Sequence, residues 1–315
     1  MKNNLPYYPI SEYYRKHFGS KVYKLPIKLD LTCPNRDGTL SDKGCIFCGE
    51  SGGSFENRPS SLTIKRQLEL NKAHIEKKYK ANKFIAYFQN FSNTYMSLKT
   101  FKEIINACNL DYIVGIDIST RSDCISEDKL IFLKKFKEEN KKDITIELGL
   151  QTANYHTQKI LNRKEDLATF IRASNLIKKY NLKICTHVIL SLPWDDLIDV
   201  KQTARIIKAL DIDFVKIHSL YITKDTELSN MYQNSKLKMI SQEEFVIRVS
   251  EFLKRIDKNC AVERLLARAP KEESVFCNWD KSWWVIRDHI IDYMNENNIK
   301  QGIIDIKRDF EKIGG

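Results

Sequence analysis

The chain has 315 residues, 42% of them apolar, and its 52 Lys and Arg outnumber 41 Asp and Glu to leave a formal charge of +11. A chain of this length buries about 75% of the surface its unfolded form exposes, so it builds a true core without disulfide staples. It has no apolar run of the roughly 18 residues a membrane span needs, and its first 25 residues are basic and tyrosine-rich where a signal peptide is apolar; both point to a cytoplasmic protein that binds no membrane.

The excess positive charge suits a polyanionic partner, nucleic acid first, through counterion release; a solvated, Lys-rich surface accounts for it equally well. Residues 1–22 form an arm in which Tyr7, Tyr8, Tyr13 and Tyr14, with Tyr23 just beyond, interleave with Arg15, Lys16, Lys21 and Lys24. Such aromatics stack on unpaired bases while the cations meet phosphates, or they pack as an amphipathic cover over the rest of the fold.

From 23 to 256, apolar runs of period 2 alternate with helical runs, the pattern of repeated βα units with parallel strands. The first strand is expected near 24–31 and offers Lys28 and Asp30. Directly after it come Cys33, Cys45 and Cys48, spaced C-x11-C-x2-C and followed by Gly49, Gly52 and Gly53. Three thiolates in one loop make a metal site but are one short of closing a tetrahedral structural zinc site. A cluster iron accepts three thiolates and keeps one position open, whereas zinc needs a fourth residue. No CxxC partner or His pair follows at finger-like spacing.

Further strands are expected near 83–89, 112–119, 143–150, 183–191 and 214–221. Helices are expected near 61–80, 98–108, 126–139, 165–180 and 196–209. Ser126 is the expected cap of the third helix, and a sixth helix opens with the capping box Ser241-Gln-Glu-Glu244. Six units are fewer than the eight of a closed barrel. The fold class is therefore α/β, a partial (β/α)6 TIM-like barrel over 23–256, with a C-terminal extension, 257–315, closing its open side. The strands alternate where a parallel sheet normally reads as continuously apolar. Ile144, Ile146, Leu148 and Leu150 share one face and leave Thr145, Glu147 and Gln151 on the other. Asp117, Ser119 and Arg121 behave likewise in the third strand, as do Gln89 in the second, His187 in the fifth, and Lys216 and His218 in the sixth. Polar sets pointing into a barrel interior imply a polar ligand there.

The thiol triad with CPNRDGT and GCIFC resembles the radical S-adenosylmethionine superfamily, whose members carry three loop cysteines after the first strand of a six-unit partial barrel. Six segments narrow the likeness: YKLPIKLDLTCPNRDGT (23–39), FQNFSNTY (88–95), ISTRSDC (118–124), IELGLQTA (146–153), THVILSLPWD (186–195) and VKIHSLYI (215–222). They are similar to a bacterial subfamily close to the radical domain of Elongator's catalytic subunit and linked to tRNA wobble-uridine modification. The resemblance implies that Cys33, Cys45 and Cys48 hold a [4Fe–4S] cluster whose open iron is chelated by S-adenosyl-L-methionine. One electron then cleaves the sulfonium to a 5′-deoxyadenosyl radical that abstracts a substrate hydrogen. It places Gln89 at the methionine amino group, Glu147 and Gln151 near methionine or ribose, and Ser119 and Arg121 facing the cofactor. Leu192 and Pro193 fall beside adenine, and His187, Lys216 and His218 face the substrate as candidate catalytic groups. By the same likeness the substrate is tRNA, whose 5-carboxymethylaminomethyl (thio)uridine becomes 5-aminomethyl. The electron donor is a reductant such as flavodoxin or ferredoxin.

The chain departs from the family pattern at Thr-Arg-Ser-Asp, 120–123, where the superfamily has TRPD, and at Ser-Leu-Pro-Trp-Asp, 191–195. Two other readings are compatible with the residues: the same radical chemistry on a small molecule such as a porphyrin precursor, or a non-catalytic, zinc-stabilised RNA-binding protein. Cys124 and Cys277 read as ordinary thiols, and Trp279, Trp283 and Trp284 as packing residues of the extension.

Overall fold

The computed structural model describes residues 5–50, 52 and 58–305. In chain order the first half comprises α1 (Ile10–Phe18), β1 (Val22–Ile27), α2 (Ile64–Tyr79), β2 (Lys83–Phe88), α3 (Leu98–Asn106), β3 (Ile113–Thr120), α4 (Glu127–Asn140) and β4 (Asp143–Gln151). The second half runs through α5 (Tyr155–Ile160), α6 (Leu167–Lys179), β5 (Lys183–Ile189), α7 (Leu197–Ala209), β6 (Phe214–His218) and β7 (Ile222–Thr223). It ends with α8 (Glu227–Gln233), α9 (Gln242–Arg255), β8 (Ala261–Arg264), β9 (Ser274–Phe276) and α10 (Trp283–Glu296).

Seven strands hydrogen-bond in the order β1-β2-β3-β4-β5-β6-β8. The chain forms two compact units: one holds Ser11–Gly149 and Lys164–Cys185, the other Met1–Ile10, Leu150–Arg163 and Thr186–Gly315. In the first unit β1, β2, β3 and β4 pair in parallel, with Lys24 opposite Ile85, Tyr87 opposite Asp117, and Ser119 opposite Glu147. Parallel neighbours keep residues of one face in rows, so the polar positions of successive strands meet. The other face is apolar: Ile116, Ile118, Ile144, Ile146 and Leu148 are wholly buried. In the second unit β6 pairs in parallel with β8, and the arm joins the same strand through a bridge from Pro9 to Val262.

Helices start where short polar side chains accept the first orphan N–H groups. Thr63, Ser97, Asp166, Thr226 and Ser241 each accept the N–H three residues on, and Asp196 closes a full capping box with Asp199. Two expected caps differ. Ser126 makes no side-chain cap bond and instead takes the Lys129 Nζ–H at 3.2 Å. Ser241 caps α9, but the Glu244 carboxylate pairs with Arg248 at 2.6 Å.

Other expectations also need correction. β1 ends at Ile27, so Lys28 and Asp30 belong to the cysteine loop. The segment beyond 256 contributes β8 to the main sheet, a seventh strand that sequence periodicity passes over because Ala261–Arg264 is only four residues long. The arm's aromatics follow the second of the two readings given for them, as packing groups: Tyr14 is buried and the Tyr13 hydroxyl takes a hydrogen bond from Lys183, while Tyr23, just beyond the arm, stacks on Tyr79 at 4.8 Å.

Candidate functional site

The chain leaves β1 held by two side-chain amides that act as a neighbouring strand would. Gln67 accepts the Lys28 N–H at 2.9 Å and donates to the Lys28 carbonyl at 3.0 Å; Asn90 brackets Leu29 the same way at 3.3 and 2.9 Å. The loop therefore begins from a fixed point. It then turns at each cysteine, with the Arg36 N–H donating to the Cys33 carbonyl at 2.8 Å and the Cys48 N–H to the Cys45 carbonyl at 3.0 Å. Arg36 ties the two ends together, its Nη1 donating to the carbonyls of Cys48 at 2.8 Å and Gly49 at 3.2 Å, its guanidinium 5.5 Å from the Phe91 ring centre. Gly44, at φ 74°, makes room for that side chain, since a Cβ there would come within 3.0 Å of Arg36 Cγ. Of the glycines after the triad, Gly53 lies outside the described residues.

The three cysteines are half-buried, free thiols that influence one another. Burial above all, then the neighbouring Cys45, pushes the Cys48 thiol up to about 12, while Arg36 pulls it down. Burial also raises Cys33, against a backbone hydrogen bond from Asn35 and the charge of Arg121. Wholly buried Asn35 donates to Cys45 Sγ at 3.5 Å. Thiols that hold their protons in isolation yet receive N–H donors suit a bound cation: metal displaces the protons and the donors spread the thiolate charge. An all-sulfur donor set favours zinc or iron–sulfur over magnesium or calcium.

In the same unit the polar strand face is a connected network. Lys24 Nζ lies 2.7 Å from both Asp117 Oδ2 and Glu147 Oε1, and 4.7 Å from the Tyr87 ring centre. Ser119 donates to the other oxygen of Glu147 at 3.0 Å. Glu147 is 1% exposed, and Lys24 and Ser119 supply the hydrogen bonds that a buried carboxylate needs. Arg121 is bound bidentately by Asp123 at 2.9 and 2.6 Å, with Glu165 at 3.7 Å. Burial lowers its affinity for the proton, but these acids more than reverse that and hold it above the ordinary arginine value. Gln89 follows β2, half-buried, and leads into a rim where Ser92 and Thr94 bond Thr120 at 2.9 and 2.6 Å.

In the second unit Gln151 ends β4 at φ 67°, a left-handed conformation that a non-glycine residue takes at some cost. The turn after β5 carries Leu192, wholly buried, and half-buried Pro193. Arg248 on α9 holds that turn, donating to the carbonyls of Leu192 at 2.9 Å, Leu190 at 3.4 Å and Asp195 at 2.5 Å. Asp195 accepts from Thr157 at 2.6 Å, and burial pushes its carboxyl up to about 6. On β5 and β6, His187 stacks on His218 with ring centres 5.2 Å apart, and Lys216 Nζ lies 3.2 Å from Glu263 on β8.

Sequence reasoning missed three of these groups. It gave Lys24 to phosphate contact, although its position on the polar face of β1 signals the ion pairs it makes. Arg248 stands between Phe245 and Val249 in the buried register of α9, an arginine where an apolar residue is expected. Glu263 belongs to the strand that was not foreseen.

The model of the Radical SAM superfamily matches residues 41–207, and that of the Radical_SAM C-terminal domain matches 212–296. YtqA of Bacillus subtilis (strain 168), an uncharacterized protein, is 33% identical over 94% of this chain and 92% of its own length. A tRNA uridine(34) acetyltransferase of Methanocaldococcus infernus is 28% identical over 45% of this chain and 26% of its own. Among solved structures, Elp3 of Methanocaldococcus infernus superposes with a TM-score of 0.68 at 18% identity, covering 89% of this chain and 64% of that one. That likeness shows the fold, an α/β partial barrel.

Proposed function

The chain belongs to the Radical SAM superfamily, and from that premise we propose that its substrate is a tRNA wobble uridine whose 5-carboxymethylaminomethyl group it converts to 5-aminomethyl. The family's cofactors are a [4Fe–4S] cluster and S-adenosylmethionine, which together supply one-electron cleavage of the sulfonium and a carbon radical that takes a substrate hydrogen atom. Cys33, Cys45 and Cys48 are the cluster ligands in this reading. The loop around them orients the sulfurs, and Arg36 and Asn35 offset their charge. Gln89, Ser119, Arg121, Glu147, Gln151, Leu192 and Pro193 bind the nucleotide cofactor. His187, Lys216 and His218 meet the substrate. A reductant such as flavodoxin or ferredoxin supplies the electron.

The observation that carries the cluster assignment is the clamped thiol loop after β1. The tRNA assignment rests on the likeness to Elp3 and to a protein whose name states tRNA uridine 34 as its target, together with the charge of +11. Nucleoside analysis of tRNA from a strain lacking the gene tests it. Carboxymethylaminomethyl uridine should accumulate, a wild-type copy should clear it, and a Cys45→Ala copy should not. Purified anaerobically, that variant should also lack the brown colour and 5′-deoxyadenosine release of the wild type. An unchanged nucleoside profile would refute the tRNA substrate and leave the family assignment intact.

A further inference from the structure

We infer that the bulged end of β8 builds a carboxylate-binding subsite, in which Arg264 beside His218 and His187 takes the negative group of the uridine substituent. This rests on the tRNA reading above and names how that substrate is held.

The argument starts with strand register. β6 and β8 pair Val215 with Val262 and then Lys216 with Arg264, so Glu263 is an extra residue and the ladder shifts there. In a regular strand Glu263 and Arg264 would point to opposite faces; a bulge sets two consecutive residues against one and re-aims both. Both therefore reach the side chains of β6. Glu263 Oε2 meets Lys216 Nζ at 3.2 Å, and Arg264 Nη2 comes 3.1 Å from Nδ1 and 3.0 Å from Nε2 of His218. The in-plane lone-pair directions of an imidazole diverge, so a donor equally near both nitrogens meets the face of the ring. His187 stacks on the same imidazole, its plane tilted by 29°.

The charges of Lys216 and Glu263 offset one another, with side chains only 5% and 8% exposed. Arg264 is left over. Among the described residues no carboxylate lies within ion-pair distance of it, and its Nε is buried with no hydrogen-bond partner. A buried guanidinium N–H without an acceptor is costly and marks a place where a ligand belongs. The donors that remain are the in-plane edge of the fork, the geometry a carboxylate accepts bidentately. A tRNA backbone phosphate offers similar oxygens, but Lys216 on β6 and Ser219 just after it are 4% and 1% exposed. A slender substituent ending in a carboxylate reaches such depth and a sugar–phosphate chain does not.

The test uses the full-length, anaerobically reconstituted enzyme with two tRNAs, one bearing 5-carboxymethylaminomethyluridine and one bearing 5-methylaminomethyluridine, which lacks the carboxylate. Wild-type enzyme should bind the first about 10- to 100-fold more tightly, the range for one charge-assisted bidentate contact. Arg264→Met should bring that ratio to near one, and Arg264→Lys, which keeps the charge but not the fork, should fall between. Iron content and the circular dichroism spectrum check that each variant is folded and loaded. If Arg264→Met keeps the full preference, the subsite is wrong while the tRNA reading stands. If the variant instead loses affinity for S-adenosylmethionine and for both tRNAs alike, Arg264 serves the cofactor and the subsite is again wrong. If wild-type enzyme neither binds nor turns over the carboxylated tRNA, the functional reading fails and the subsite fails with it.

Discussion

Asp195 shows how one buried carboxyl ties stability to pH. Burial raises it to about 6 from an ordinary 3.8, while hydrogen bonds from Thr157 and Thr152 pull the other way. The folded state therefore holds the proton more tightly than the unfolded chain. Its contribution to stability is fully present below about pH 4 and is lost as pH rises through about 6, by at most about 3 kcal/mol. Asp195→Asn keeps an acceptor for Thr157 and removes the titration. The melting temperature of the variant minus that of the wild type should rise between pH 4 and pH 7; a flat difference would contradict the assignment. This carboxyl was not foreseen from sequence, because its burial depends on α9 and on Thr157, 38 positions away. Glu147 was legible, since strand alternation alone puts it on the polar face of β4. Its partner Lys24 was not, because a lysine near a basic arm looks like a surface charge until β1 is seen in one sheet with β3 and β4, which carry Asp117 and Glu147.

At the scale of elements, α9 does more than cover the sheet. Its Arg248 donates to the carbonyls of three residues, Leu190, Leu192 and Asp195, in a turn that has no strand neighbour to do so. Arg248→Met removes those donors and leaves the Leu192 carbonyl with only the Asp195 N–H at 3.2 Å, so it should cost about 3 kcal/mol, read as a lower urea midpoint at unchanged slope. A midpoint within error of the wild type would mean that the turn holds itself. The predicted strands and helices lie within a few residues of the observed ones because period-2 and period-3.6 patterns are local. The C-terminal ends of β1, β5 and β6 were placed too late, since the loop residues after them remain apolar or alternate by chance. β8 escaped because four residues carry too little pattern, and its place is set by pairing with β6.

For the whole molecule, the charge of +11 gives a prediction of its own. If tRNA is the partner, binding that neutralises about six phosphates should weaken roughly 1000-fold between 50 and 200 mM salt. Filter binding across that range measures it. Affinity independent of salt would remove the electrostatic support for a polyanion and favour a small substrate. Among the described residues no helix is long and apolar enough to cross a membrane.

The order of βα units, the thiol spacing and the polar face of each strand were determined by the chain's local pattern, because each depends on neighbours within a few residues. Which polar residues meet was decided only in three dimensions. Lys24 between Asp117 and Glu147, Arg248 beneath the turn, and Arg264 turned toward His218 all join strands or helices far apart in sequence. Their partners are chosen by register, and a single bulged residue changes that register in a way that no periodicity records.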